Sequence, residues 1–444
     1  MIGIKEGQKP YLEQFAQLAK ATAGESAWVR ALRQRGVEQF AALGFPTPRD
    51  ENWKYTDVTP IITTAFQPAA KADSGVTREA LDRGELTTLQ CDSRLVFVNG
   101  FFSEQLSSIG ELPAGVKVTN LAQLFTGEEQ AIGCHLGRYA HLEEHAFVAL
   151  NTAMLQDGAL VEVAQGCRLE EPILIVFVAT ADGAPMVSHP RNLYCFGAES
   201  RATIIESYLS LGEGAHFTNA VSELVVGEGA VIEHYKLQHE NEQAFHIATL
   251  QAIQARDSHL LAHNISFGGA ITRNDINVVL DAEDAECDLG GLFVATGCQH
   301  VDNHTLIDHA QPNCNSRELY KGILGDQSVG IFNGKILVRQ GAQKTNASQR
   351  NNNLLLSENA TINTKPQLEI YADDVRCKHG ATVGQISAEA LFYMRSRGIT
   401  KEAALDLLTY GFAGELFDSM TWVTVRSRLE QMLYRKLSKN RQED

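Results

Sequence analysis

Most of the short signatures that mark a catalytic or membrane-bound protein are missing from this chain. No run approaches the ~20 apolar residues a bilayer demands; the most apolar stretch, PILIVFVATA from Pro172, is far shorter. The opening residues, MIGIKEGQKP, lack the charged-then-apolar layout of a signal peptide. Positive charge is in deficit. Lys and Arg number 38 against 54 Asp and Glu, a formal net charge of −16 that repels a phosphate backbone and argues against nucleic-acid partners. Eight cysteines stand at 91, 134, 167, 195, 287, 298, 314 and 377 with no CxxC pair, a scatter that predicts reduced thiols in a cytoplasmic protein. The GxSxG of lipase-like hydrolases and the HExxH of zinc proteases are both absent. GIFNGKIL, from Gly330, imitates a phosphate-binding loop and fails as one. Gly334 follows too soon, and Ile336 stands after Lys335 where a Mg²⁺-coordinating hydroxyl is required. Any nucleotide hydrolysis in which the chain takes part must therefore be supplied by another chain.

What is present is an ordinary globular balance, 44% hydrophobic and 21% charged, over 444 residues. That length allows two or three domains, or one extended domain with flanking pieces. The first ~45 residues show helical spacing, as in YLEQFAQLAKA, and Pro46, Pro48 and Pro60 then impose a loop. From Arg94 the texture becomes short β-type runs. Small-residue or acidic turns punctuate it: AQGC, FGAES, GEGA, ARDS, DAEDA, GDQS, SENA and ADD. The early turns recur roughly every 30 residues and the last two about 15 apart. Strand and turn without interleaved helix exclude a doubly wound sheet and suit a β-solenoid, with a β-sandwich as the ordinary competitor. After Gly384, Ser387 and Thr400 are placed to cap helices, Gly398 to stop one, and a third helical run follows. The expected organisation is a helical region over 1–93 and a β-rich region over 94–386, its core about 159–384. A helical region over 387–444 completes it. Leu405, Leu408, Phe412, Leu416 and Phe417 fall near one helical stripe, and Arg426, Arg428, Arg435, Lys436 and Lys439 give the tail a positive face. A solvated face is the plain reading of those charges; a partner-binding helical module is the sharper one.

Three groups could carry chemistry. Asp281, Asp284, Asp373 and Asp374 could serve as scattered carboxylates of a β-helix carbohydrate lyase or hydrolase, although acidic turn residues are commonplace. GCQHVDNHTLIDHAQPNCNS gathers Cys298, His300, His304, His309 and Cys314, ligand types suited to zinc or iron, with 298, 300 and 304 on one face of a strand. Its spacings match no structural zinc pattern, and buried hydrogen-bonded histidines would explain it equally. In LEIYADDVRCKHGATVG, an extended strand turns Cys377 and His379 to one face, ~6.6 Å apart, and Arg376 and Lys378 to the other. Neighbouring positive charge would favour the thiolate. The residues alone lean slightly towards a packed cysteine beside a hydrogen-bonded histidine.

The blocks RDENWKYT, QHVDNHTLIDH, NCNSRELYKGIL, GIFNGKILVRQGAQKT, NNNLLLS, NTKPQLEIYADDVRCKHGATVG and FYMRSRGI closely resemble the SufD branch of the SufB/SufD family, scaffolds of the SUF iron–sulfur cluster assembly system. The resemblance covers nearly the whole chain and is tightest from about Gln299 to Ile399. It implies a right-handed parallel β-helix core with helical regions at both ends. It also implies a non-catalytic subunit that pairs with a SufB-type scaffold and docks a SufC-type ABC ATPase through its C-terminal helical region. The stripe Leu405, Leu408, Phe412 and Leu416 is the expected docking surface. The resemblance assigns Cys377 and His379 to the interface with SufB, where they would hold iron or a nascent cluster transiently and no cofactor stably. The SufB branch itself fits less well: it carries a cluster-assembly cysteine near Arg350, within QRNNNLLL, and a His-Glu-Ala run near CKHGATVG. A homodimer through the surface meant for SufB is a further expectation for the isolated chain.

Overall fold

The computed structural model describes residues 7–69, 75–84, 87, 89, 91–127, 135–180 and 183–439. Cys134 lies outside them. Between Ala159 and Gln385 the chain winds as a parallel β-solenoid of about seven coils. Each coil gives one strand to each of two facing sheets. The first sheet ends Ile271–Leu280, His300–His309, Val329–Val338, Thr361–Ile370; the second ends Glu286–Ala295, Asn315–Leu324, Asn346–Leu355, Arg376–Gln385. Neighbouring coils pair in register, so one residue type is stacked on the next along the axis. His300 lies beside Val329 and then Thr361, and Ala347 beside Cys377.

The register is fixed at one corner. Gly166, Glu199, Gly229, Asp257, Asp284, Asn313 and Lys344 all take left-handed backbone conformations, φ between 53° and 72°. The amide of each donates to a carbonyl of the following coil at 2.5–3.3 Å. Glycine, aspartate and asparagine tolerate that conformation best, which explains the small and acidic turns seen in the sequence. The opposite corner has its own turns, with Gly269, Gly297 and Asp326 at positive φ. GDQS and SENA belong to this second corner, so the apparent half-period is half a coil and not a shorter repeat.

The interior is apolar over much of its length, with Leu95, Ile175, Tyr194, Ile204, Leu224, Ile232, Val278 and Phe332 in one cluster. It also encloses polar groups. Burial alone would raise the Glu206 carboxyl, yet donors from His234 (3.1 Å), Tyr208 (2.6 Å), Ser222 (2.7 Å) and Tyr194 (2.9 Å) surround it, and its pKa is held at about 2. The outer face of the first sheet is covered by the N-terminal helices Lys9–Ala21 and Ala27–Leu43 and by Ala146–Ala153, through Tyr11, Phe40, Phe45, Phe147 and Phe217. In the second sheet, the outward Leu174, Val176 and Val178 of Ile173–Ala179 are buried with Leu81, Leu89 and Leu106, so with both faces covered that strand can be ILIVFVA throughout.

The C-terminal helices begin where the sequence placed them. Ser387 accepts from the Ala390 amide and Thr400 from the Ala403 amide, each at 3.2 Å, and Gly398 breaks the chain between them at φ 85°. Their position differs from that of an appended module. Lys401–Phe417 and Val423–Lys439 lie along the outer face of the second sheet. There Leu416, Phe417, Met420, Leu429 and Leu433 share a core with Tyr235, Ile265, Leu292 and Ile323. Part of the expected positive face is used internally as well. Lys436 Nζ donates to the Phe267 carbonyl at 2.7 Å, and Arg426 pairs with Asp418 at 2.7 Å.

Candidate functional site

The last strand, Arg376–Gln385, pairs with Asn346–Leu355 on one side and with no further strand among the described residues on the other. The Arg376 amide donates back to the Thr345 carbonyl at 2.8 Å. By the alternation of a parallel ladder, the amides of Cys377, His379 and Ala381 therefore point away from the molecule. Side chains alternate across the sheet, and the register places Cys377 on Ala347 and His379 on Gln349, both inward-facing positions. Both side chains thus sit on one face, as the sequence indicated, at the open end of the solenoid. No next coil covers them.

Cys377 is half-buried against Ala347, Ala372, Val375 and Leu368, and His379 is exposed. The thiol departs from expectation. Partial burial pushes the Cys377 pKa above its ordinary value, and a backbone hydrogen bond from Ala347 offsets only part of that. Arg376 and Lys378 project from the opposite face of the strand, so their charges do not secure the thiolate. A soft metal would have to displace the proton to bind here. Two donors also fall short of the four a tetrahedral site takes. Among the described residues no group of three or more His, Cys, Asp or Glu is arranged to hold a metal ion. Whatever is bound at this end needs ligands from elsewhere.

The second candidate group is dispersed by the sheet. Cys298 sits in an exposed turn. His300 and His304 lie on the outer face, His300 against Thr56 Oγ1 at 2.9 Å and His304 against Asp302 at 3.1 Å. His309 lies inside, 2.9 Å from Ser316 Oγ, and Cys314 is buried at the turn with its thiol near the Ala282 carbonyl. Each of the three histidines has one ring nitrogen engaged, and the Nδ1 of His309 is buried without a partner. His304 borders a cleft of about 780 Å³, walled by Arg49–Trp53 and His145. The Arg273 guanidinium in its floor is already engaged by Asp275 and Asp302 and stacked 3.8 Å from the Trp53 ring.

The acidic turn residues do not form a carboxylate pair either. Asp281 and Asp284 lie three coils from Asp373 and Asp374 on the same corner, about 14 Å at the spacing of parallel strands. That is beyond either separation used in glycoside hydrolysis. GIFNGKIL is a strand, with Lys335 paired to Glu369 at 2.7 Å.

Of the expected docking residues, Leu416 is fully buried against the solenoid, and Leu405, Leu408 and Phe412 are half-buried. The apolar side chains exposed on these helices are others: Phe392 (74%), Tyr393, Leu407 and Tyr410. Ala388–Ser396 buries none of its residues. The clasp beneath them has no signature in the sequence. Glu415 is gripped by Lys321 and Arg350, each at 2.8 Å, and Lys321 also donates to the Phe412 carbonyl at 2.7 Å. Arg350 lies beside Gly380, so the clasp ends one strand from the Cys377–His379 face.

Two family models match the chain: the SufBD core domain of SUF-system FeS cluster assembly over residues 177–412, and the SufBD protein N-terminal region over 5–175. An iron–sulfur cluster assembly SufBD family protein of Synechocystis is 33% identical, covering 95% of this chain and 94% of its own. The iron–sulfur cluster assembly protein SufD of Escherichia coli is 34% identical over 87% of this chain and 88% of its own, and SufD of Bacillus subtilis 26% over 96% and 97%.

Proposed function

The chain belongs to the SufBD family of SUF-system iron–sulfur cluster assembly proteins and is SufD-like, and on that premise we propose that it is a non-catalytic scaffold completing a cluster-assembly site shared with a SufB-type partner. One observation carries this reading. Cys377 and His379 face inward at the uncovered end of the solenoid, on a strand whose outer edge has amides free to pair. A partner strand at that edge extends the sheet and closes a chamber over both side chains. Iron or a nascent cluster, the cargo of the process, is held there by the Cys377 sulfur, the His379 imidazole and ligands of the partner. The thiol gives up its proton on binding, and the exposed imidazole remains able to swing. The process belongs to the cytoplasm, as the cysteine usage implies, and no described helix is long and apolar enough to cross a membrane.

ATP-driven motion comes from a SufC-type ATPase docked on the C-terminal helices. The support is the exposed Phe392 and Tyr393 on a helix that buries nothing, beside Leu407 and Tyr410. Leu405, Leu408 and Phe412 line the flank of that surface, and Leu416 anchors it from beneath.

Reconstitution of the complex with Cys377→Ala and His379→Ala tests the site. Cluster yield is expected to fall about tenfold or more, and a normal yield with both changed removes the role. Docking is tested by Phe392→Glu with Tyr393→Glu, which should abolish ATPase co-purification without moving Tm; retained capture refutes the docking surface.

A further inference from the structure

Beneath His379, on the same inward face one strand back, lies Gln349. It is fully buried, and its amide is oriented: Nε2 donates to Glu318 Oε2 at 2.7 Å. The fold makes room for it. A Cβ at Gly334 would come within 2.4 Å of Gln349 Nε2, so the glycine that imitated a phosphate loop is the notch in which this side chain rests. Its other end is unsatisfied. Gln349 Oε1 is out of reach of solvent and has no hydrogen-bond partner. Leaving a buried acceptor unpaired costs about 1–3 kcal/mol, so such groups ask for an explanation. The explanation stands one strand, ~4.8 Å, further along the axis. A metal-ligating histidine almost always donates its second ring N–H to an outer acceptor that fixes tautomer and ring orientation.

We infer that Gln349, held by Glu318, is the positioning residue for His379, its amide oxygen accepting the imidazole N–H that does not face the cargo. The column Glu318–Gln349–His379 steps outward one coil at a time. Glu318 is buried with Gln349 as its partner, and Gln349 hands the remaining acceptor to the exposed ring. The sequence shows only an undistinguished SQRNN at this point, since the pairing that aligns 318, 349 and 379 exists only after the coils stack.

This rests on the reading of His379 as a site residue, and its test is independent of cluster yield. Full-length chain labelled with ¹⁵N-histidine, with His379→Ala for assignment, reports which ring nitrogen of His379 carries the proton. In complex with the SufB-type partner, which closes this end over the ring, the wild type is expected to show one tautomer. Gln349→Met and Glu318→Leu should each give the mixture of a solvated ring. The remaining histidine signals certify the fold, and the two lesions are independent, so loss of one variant leaves the other as the test. A single tautomer retained in Gln349→Met or in Glu318→Leu overturns the proposal. Normal cluster yield from a His379→Ala complex would instead refute the function and leave the tautomer result standing.

Discussion

Cys377 and Cys298 place the same thiol in opposite settings, one half-buried under Ala347 and Ala372, the other on an exposed turn. Alkylation of the folded chain with iodoacetamide near neutral pH, read peptide by peptide, should therefore label Cys298 first. The Cys377 rate should climb only as pH passes the ordinary thiol range, because the thiolate is the nucleophile. Glu318 gives the complementary test inside the molecule. Burial raises its pKa from the ordinary 4.5 to about 7, against hydrogen bonds from Thr305 and Gln349. A raised acid contributes stability that is complete below pH about 4.5 and is lost as pH rises to about 7. Glu318→Gln should flatten that slope in denaturant unfolding series run at stepped pH. At this scale the sequence showed that Cys377 and His379 share a face, because alternation along a strand is local. It misjudged the thiol because the burial of Cys377 against Ala347 and Ala372, which raises its pKa, arises only when the coils stack.

The helix Lys401–Phe417 shows where patterning stops being informative. An apolar stripe at helical spacing says that a face is buried, not whether the helix's own body or a partner buries it. Leu416 settles on its own body, over Gly290, where a Cβ would come within 2.9 Å of the leucine. Leu416→Ala should destabilise the chain by about 2–5 kcal/mol in urea unfolding, the range for emptying a packed leucine site. The surface docking changes at Phe392 and Tyr393 should leave stability unaltered. The same contact alters what truncation means. Removing residues after Ser387 would bare Tyr235, Ile265, Leu292 and Ile323 on the second sheet, and the product is expected to aggregate, not to persist as a clean solenoid. Ser387, Thr400 and Gly398 were legible because caps and left-handed stops are written in one or two residues.

For the whole molecule, the open end governs behaviour. An uncovered edge is a template for any compatible strand, so the isolated chain should self-associate with rising concentration, as light scattering on a sizing column would show. Ala381→Pro removes an outward amide while leaving the inner ladder intact. It should shift the chain to monomer and block pairing with a SufB-type scaffold; unchanged association would place the contact elsewhere. The repeat was legible because turn chemistry recurs along the chain. That it combined two corners was not, since spacing alone cannot tell a whole coil from half of one. The corner of left-handed residues, each tied by its amide to the coil that follows, makes every coil an interchangeable step of one height. The molecule can therefore change length only in whole steps, by gaining or losing ~30 residues and moving its end by ~4.8 Å. The reach from the C-terminal helices to the Cys377–His379 face is in that sense a counted quantity. A lineage or a designer could lengthen this spacer by one unit without redesigning either end.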